Sequence, residues 1–333
     1  MPTGARKIEG YSDISEQILA EASIIREVSR KDITGTPGTT TVKVYVNELA
    51  TIADYVPGTG VAISNDSSSY VTINNLKEKA VNEILDGFTV ATAPADLIAQ
   101  RLMAAMAAAG EQIDTDGFAK MGVDGTLADG TLAAAATAAG SFVVGQTYKV
   151  TQANSAGDAT TIGCAAATAV VGELFTALTD GTGLTALEAK QILTPTVSTI
   201  YDDVLSLKLA LDNAKAPQAG RSLTITPEMH NLMLDVDSKL VLDTSRGDRI
   251  QTDGFVGRLL GFNVFVSTLL PADVNMFATH ERGFVFGMAW MRDVMLQDLN
   301  GSGTFIGDSA VQGRWAYVTG AVRPVLIQIN KGS

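Results

Sequence analysis

Gly220-Arg221-Ser222-Leu223-Thr224-Ile225-Thr226-Pro227-Glu228 is the stretch on which the reading of the fold turns. Leu223 and Ile225 alternate with polar neighbours, as a short strand requires. Thr226-Pro227 then opens a helix that is predicted to run through Leu234, with a hydroxyl as cap and proline at the first helical position. Upstream, Val197, Ile200, Val204, Leu207 and Leu211 recur at helical spacing, with Thr196 as cap and a stop before Pro217. Downstream, Gly254-Phe255-Val256-Gly257-Arg258-Leu259-Leu260-Gly261-Phe262-Asn263-Val264-Phe265-Val266-Ser267 reads as a glycine-punctuated ribbon, followed by a loop at Leu270-Pro271. The C-terminus carries further strand signals at Phe284 to Met288, at Trp315-Ala316-Tyr317-Val318, and in the alternation of Val325, Ile327 and Ile329.

Towards the N-terminus the elements become longer and more extended. Residues 1–32 read as an arm ending in a helix, with Ile14, Ile18, Ala22 and Ile25 on one face. A Gly/Pro/Thr break from Thr34 to Thr40 precedes a strand in which Val42, Val44 and Val46 share one face and Thr41, Lys43, Tyr45 and Asn47 the other. After Pro57-Gly58 and a serine-rich tip from Asn65 to Ser69, Tyr70-Val71-Thr72-Ile73 supplies the returning strand of a long hairpin. Two strands alone are marginal in water, so this ribbon must lie on its own body or on a neighbouring copy. A long helix from Pro94 to Met121-Gly122 follows, with Leu97, Ile98, Leu102, Ala105, Met106, Ala109 and Ile113 as its apolar stripe. From Leu127 to about Leu187 the chain turns rich in Ala, Thr and Gly. Phe142-Val143-Val144, Thr147 to Val150 and Glu173 to Thr176 are predicted there as short strands of a small β module.

Composition excludes several classes. The 333 residues suit about two domains, or one with an insertion. Acidic residues outnumber basic ones 36 to 24, a net charge of −12 with no Lys/Arg block, so a dedicated nucleic-acid binder is not expected. One cysteine, Cys164, and two histidines, His230 and His280, leave no disulfide framework and little for a metal cluster or a His-based triad. Glu9, Asp13 and Glu16 stand where a signal peptide needs an apolar run, and no stretch approaches a membrane span. Hydrophobic residues make up 46% of the chain and charged ones 18%, below the roughly 25% of ordinary soluble proteins. Such a chain hides its apolar excess most easily against copies of itself.

In this order (helical arm, long hairpin, long helix, the Gly220 to Glu228 and Gly254 to Ser267 segments, then Arg323-Pro324-Val325-Leu326), the sequence resembles the major capsid proteins of tailed bacteriophages, with the Hong Kong 97 fold. The resemblance implies an α+β architecture with an N-terminal arm at 1–32, an extended E-loop at 33–75, and a P-domain with spine helix at 76–126. It further implies an inserted β module at 127–188, an A-domain at 189–282, and strands returning to the P-domain at 283–333. The module resembles small β modules of phage virion proteins and would sit on the outer face of the capsomer. The implied function is a coat protein whose pentamers and hexamers close into an icosahedral head around double-stranded DNA, assembled in the bacterial cytoplasm and residing in the virion. The implied partners are a separate scaffolding protein, a portal and a cement protein, with no membrane. The inter-subunit contacts expected on the hairpin are Val42, Val44, Val46, Tyr45, Pro57 and Tyr70.

No catalytic residue, cofactor or metal ligand is expected. No nucleophile elbow or phosphate loop appears, His230 and His280 read as packing or surface residues, and Cys164 reads as a small buried apolar residue. Arg246-Gly247-Asp248 and the acids at Asp243, Asp248 and Asp253 read as a solvated polar loop. Some family members join an E-loop lysine to a neighbour's asparagine. Lys43 is the residue placed for that reaction, which is not expected here. The rival readings are an encapsulin-like compartment shell and, from another class, a surface-layer or adhesive protein.

Overall fold

The computed structural model describes residues 23–30, 41–48, 52–55, 57, 68–86, 97–128, 132–133, 135–235, 255–299 and 307–331. The expected arm helix before Ser23, the helix start at Pro94, most of the hairpin tip and the loop with Arg246-Gly247-Asp248 lie outside them. The helices are α1 (Ile25–Val28), α2 (Leu97–Asp124), α3 (Ile200–Asn213) and α4 (Pro227–Leu234). The strands are β1 (Val42–Val46), β2 (Ser69–Ile73), β3 (Leu76–Leu85), β4 (Thr126–Leu127), β5 (Thr137–Ala138), β6 (Thr147–Gln152), β7 (Leu174–Thr176), β8 (Glu188–Gln191), β9 (Arg221–Ile225), β10 (Phe255–Leu259), β11 (Phe262–Val266), β12 (Val274–His280), β13 (Phe284–Asp298), β14 (Ser309–Ala321) and β15 (Ile327–Lys331).

A six-stranded mixed sheet, ordered β10-β11-β9-β12-β15-β4, forms the centre. Period-two geometry sends Met276 and Ala278 of β12 to one face and Phe277 to the other. On the first face α3 lays down Ile200, Val204, Leu207 and Leu211, and α4 adds Met229 and Met233. Thr226 caps α4 by accepting from the Met229 N–H, with Pro227 next, as the sequence predicts. The helix expected from Val197 begins instead at Ile200, because a turn closes first, with the Thr199 N–H donating to the Thr196 carbonyl. On the second face α2 contributes Ile113, Phe118 and Met121, and the Phe118 and Phe277 rings stack at 6.0 Å. α1 lies against this helix at Gly117, where a Cβ would stand 2.6 Å from Ile25 Cγ1.

A second sheet, β13-β14-β3, is built on a long hairpin. β13 and β14 have 15 and 13 residues, far beyond the predicted 284–288 and 315–318. β3 is a strand the sequence reading does not anticipate. Of the segments expected to return to the P-domain, β13 and β14 pair with each other and β14 with β3, while β15 joins the six-stranded sheet between β12 and β4. Arg323-Pro324-Val325-Leu326 is not strand. Pro324–Leu326 is a 3-10 turn, and Val325 is exposed.

The four strands β5-β8-β6-β7 form a separate small sheet around Phe142, Tyr148 and Phe175. The expected strand at Phe142-Val143-Val144 is irregular chain that enters a turn at Val144: Phe142 is buried in the ring cluster, while Val143 and Val144 are exposed. This sheet runs on through Gln191, past residue 188, and Leu132 and Ile192 bridge where the chain enters and leaves it.

Candidate assembly surface

The ribbon β1–β2 has two unlike faces. Its strands pair antiparallel with Val42 opposite Ile73, Val44 opposite Val71 and Tyr45 opposite Tyr70. Val44, Val46 and Ile73 turn inward and pack on Val285, Val318 and Val322. Ile73 fits because β14 carries Gly320 beneath it, where a Cβ would stand 2.6 Å from Ile73 Cγ2. Arg323 Nη2 donates to the Asn47 carbonyl at 2.7 Å and fixes the end of β1. The other face is more exposed. Tyr45 and Tyr70 pack ring to ring at 4.9 Å yet remain 44% and 66% exposed, and beyond them Ile52 is 95% and Tyr55 71% exposed. Pro57 is exposed as well.

Of the six residues expected to touch neighbours, Val44 and Val46 are thus taken up within the chain, and Val42 is half-buried against the same cluster. Tyr45, Tyr70 and Pro57 keep exposed surface among the described residues. Ile52 and Tyr55, on the same connection, escape the sequence reading because no strand periodicity marks them. A second apolar exposure lies on α2. Its C-terminal half buries Ile113, Phe118 and Met121, but in its N-terminal half only Ala105 is buried among the described side chains, and Met103 and Met106 are each about 60% exposed, so Met106 does not belong to a core-facing stripe.

The same helix fixes the elements around it through carboxylates. Asp114, almost wholly buried, accepts from Ser23 Oγ at 2.7 Å and from the N–H groups of Ile24 and Ile25 at 2.7 and 3.3 Å, capping α1. Burial pushes its carboxyl above the usual range in spite of those three donors. Asp116 receives Lys77 Nζ at 2.8 Å, Lys79 Nζ at 3.6 Å and the Tyr317 hydroxyl. Burial opposes its charge, but hydrogen bonds from Lys77 and Tyr317, with the lysine charges behind them, outweigh it and hold the carboxyl low. Asp124 accepts from Lys120 and from the Ala321 N–H. α1, β3 and β14 are therefore held to one helix, and the ribbon rests on the sheet so held.

Lys43 is exposed opposite Thr72. The Cys164 thiol is buried in the small sheet and pushed up to about 11 by burial and by nearby Glu173, a setting for an inert thiol. Burial pushes the imidazoles of His230 and His280 down, towards the neutral form. Among the described residues no three His, Cys, Asp or Glu side chains gather as a metal site requires, and no helix is long and apolar enough to cross a membrane.

Neither a family model nor a curated protein sequence matches the chain. Solved structures do. A structure from Mycobacterium phage Che8 superposes with a TM-score of 0.62 at 15% identity, covering 98% of each chain. The capsid structure of cyanophage P-SCSP1u gives 0.62 at 12% identity, covering 99% of this chain and 95% of that one. The mature capsid of bacteriophage PhiM1 gives 0.59 at 11%, covering 98% and 92%. The chain therefore shares the fold of these phage structures over nearly its whole length.

Proposed function

We propose that this chain is the major capsid protein of a tailed bacteriophage, and that its copies join as pentamers and hexamers into an icosahedral head around double-stranded DNA. The observation that carries this reading is the near-complete likeness in fold to phage capsid structures, with coverage of 92–98% of those chains. The ribbon supports it. A monomer that leaves Ile52, Tyr55, Tyr70, Met103 and Met106 in water is incomplete, and burying such side chains against other copies contributes about 1.5–3 kcal/mol each. Straps of this kind are all satisfied at once in a closed symmetric shell, where many weak contacts act together.

In this reading β1–β2 and the connection beyond them form the E-loop, α2 is the spine of the P-domain, and the six-stranded sheet with α3 and α4 is most of the A-domain. The four-stranded unit with its own aromatic core is an inserted module on the outer face of the capsomer. The net charge of −12 suits a lumen wall that encloses DNA without gripping it. Electron microscopy of the assembled, purified protein tests the proposal. Closed icosahedral particles, filled with DNA when isolated from lysed hosts, are the expected result. An enzyme-filled shell, a flat lattice or a persistent monomer would each overturn it.

A further inference from the structure

A cleft of about 640 Å³ opens between the root of the ribbon, the C-terminal end of α3 and the turn joining β12 to β13. Four cations line it, Arg30, Lys215, Arg282 and Arg323, against one carboxylate, Glu281. In a chain with twelve more acids than bases, such a concentration of positive charge runs against the composition. Among the described residues Lys215 and Arg282 are exposed and pair with no carboxylate, although α3 offers Asp212 close by. That aspartate is engaged instead by Arg221 at 2.7 Å and by Gln218. The rest of the wall is mainly apolar, with Val46, Val322 and Leu326 beside Tyr45 and Asn47. Convergent cations on a half-apolar, concave floor suit a peptide carrying both carboxylates and aliphatic side chains better than a bare phosphate chain.

The sequence holds one segment of that chemistry. From Ile8 to Ala22 it places Glu9, Asp13, Glu16 and Glu21 among Ile8, Tyr11, Ile14, Ile18 and Leu19, with no lysine or arginine. Ser23, the first described residue, is held at Asp114 ahead of α1, whereas Arg30 beyond that helix lines the cleft, so the described chain begins at the end of α1 away from the cleft. We propose that the cleft is a docking site for the acidic segment Ile8–Ala22 of a second copy of this chain, held by Lys215 and Arg282 against its carboxylates. The inference rests on the assembly reading above and adds to it a cross-subunit latch of opposite charges, one that weakens as salt screens it.

The test uses full-length chains in two populations, one carrying Ser12→Cys and the other Ala214→Cys, mixed and treated with a short bifunctional maleimide. The buried Cys164 thiol reacts too slowly to compete. A mixed covalent dimer is expected. Its yield should fall at least tenfold when Lys215→Glu and Arg282→Glu are added to the Ala214→Cys chain, and return when Glu9→Lys and Glu16→Lys are added to the other. Absence of the mixed dimer, a yield indifferent to the charge reversals, or a link only within a chain bearing both cysteines would overturn the proposal. So would loss of the dimer on adding a short DNA duplex, which would mark a phosphate site. A charge-dependent mixed dimer from chains that close no particle would sink the shell reading and leave this site standing; closed particles without it would do the reverse.

Discussion

The ribbon β1–β2 and the four-stranded module are both small, two-faced pieces of sheet, and they solve the same problem in opposite ways. The module folds on itself. Phe142 and Phe175 meet edge to face at 5.5 Å, Tyr148 packs against both, and Ala159, Ile162, Cys164 and Leu187 close the cluster. Its polar loops are tied locally as well, with Asn154 donating to Gly157 and Ala167, and Glu173 accepting from Ala165 and Val170. The ribbon has no aromatic cluster of its own. One face is rooted on β13 and β14, and the other carries tyrosines that stay partly exposed among the described residues. A piece of sheet that supplies its own core can be added to a fold as a unit. One that borrows half its burial is a connector.

The sharpest break of this contrast is Phe175→Ala. Truncating a buried phenylalanine costs about 3–5 kcal/mol, so the module should open while the body stays folded. Alkylation of Cys164 would follow that opening, while thermal unfolding of the body stays where it was. A fall in the body's stability as large as the module's would show that the two are not separate. For the ribbon the matching change is Gly320→Val. Side-chain atoms placed 2.6 Å or less from Ile73 must push the root off β14, and such overpacking costs about 1–3 kcal/mol. Hydrogen exchange should rise in β1 and β2, and Ile73→Ala in the same chain should restore protection. No recovery would mean that the root is not held where it is described.

pH separates the regions further. Asp203, in the first turn of α3, is 8% exposed, and burial, with Asp202 beside it, raises its carboxyl to about 6 although Thr199 hydrogen-bonds to it. A folded value above the unfolded 3.8 means that the body bears no penalty below about pH 4, a growing one between 4 and 6, and the full one above 6. Asp203→Asn should therefore stabilise the body by about 1–3 kcal/mol at pH 8 and by nothing at pH 4. In the module the signs reverse. Thr160 and Thr182 hold Asp158 and Asp180 low, so their contribution is present at neutral pH and is lost on acidification. Denaturant midpoints across this range, read separately for each region, check both signs.

Where the sequence was legible, one face was apolar and the other polar. β1 shows its alternation openly, and Thr226-Pro227 marks a helix start by its capping hydroxyl and its proline. β3 was hidden because its inward residues include Lys77 and Lys79, which turn to buried Asp116, so a true period of two is written in charges rather than in apolar residues. β12 was hidden for the opposite reason, since both its faces are covered and no alternation survives. Phe142-Val143-Val144 misled because one buried ring beside two exposed valines looks like a strand when only composition is read. On the ribbon, the reading grouped the exposed tyrosines with valines that turn inward. Which face of a two-stranded ribbon is consumed at home depends on Val285 and Val318, more than two hundred residues away.

The smallest effect on the folded chain should come from the exposed tyrosine pair, and it is the most telling. Tyr45 and Tyr70 face each other across a β-pair, and a cross-strand aromatic pair at an exposed site contributes about 0.2–1 kcal/mol. Tyr45→Ala with Tyr70→Ala should therefore leave the monomer's unfolding midpoint almost unchanged. If the outer face of the ribbon is the one that meets other copies, the same double variant should still raise the concentration needed for particle formation at least tenfold, because each loss recurs at every copy around the shell. Light scattering against concentration measures the second quantity and chemical denaturation the first. A double variant that destabilises the monomer strongly but assembles normally would place the ribbon's outer face on its own body, and the distinction between ribbon and module would fail at the point where it was drawn.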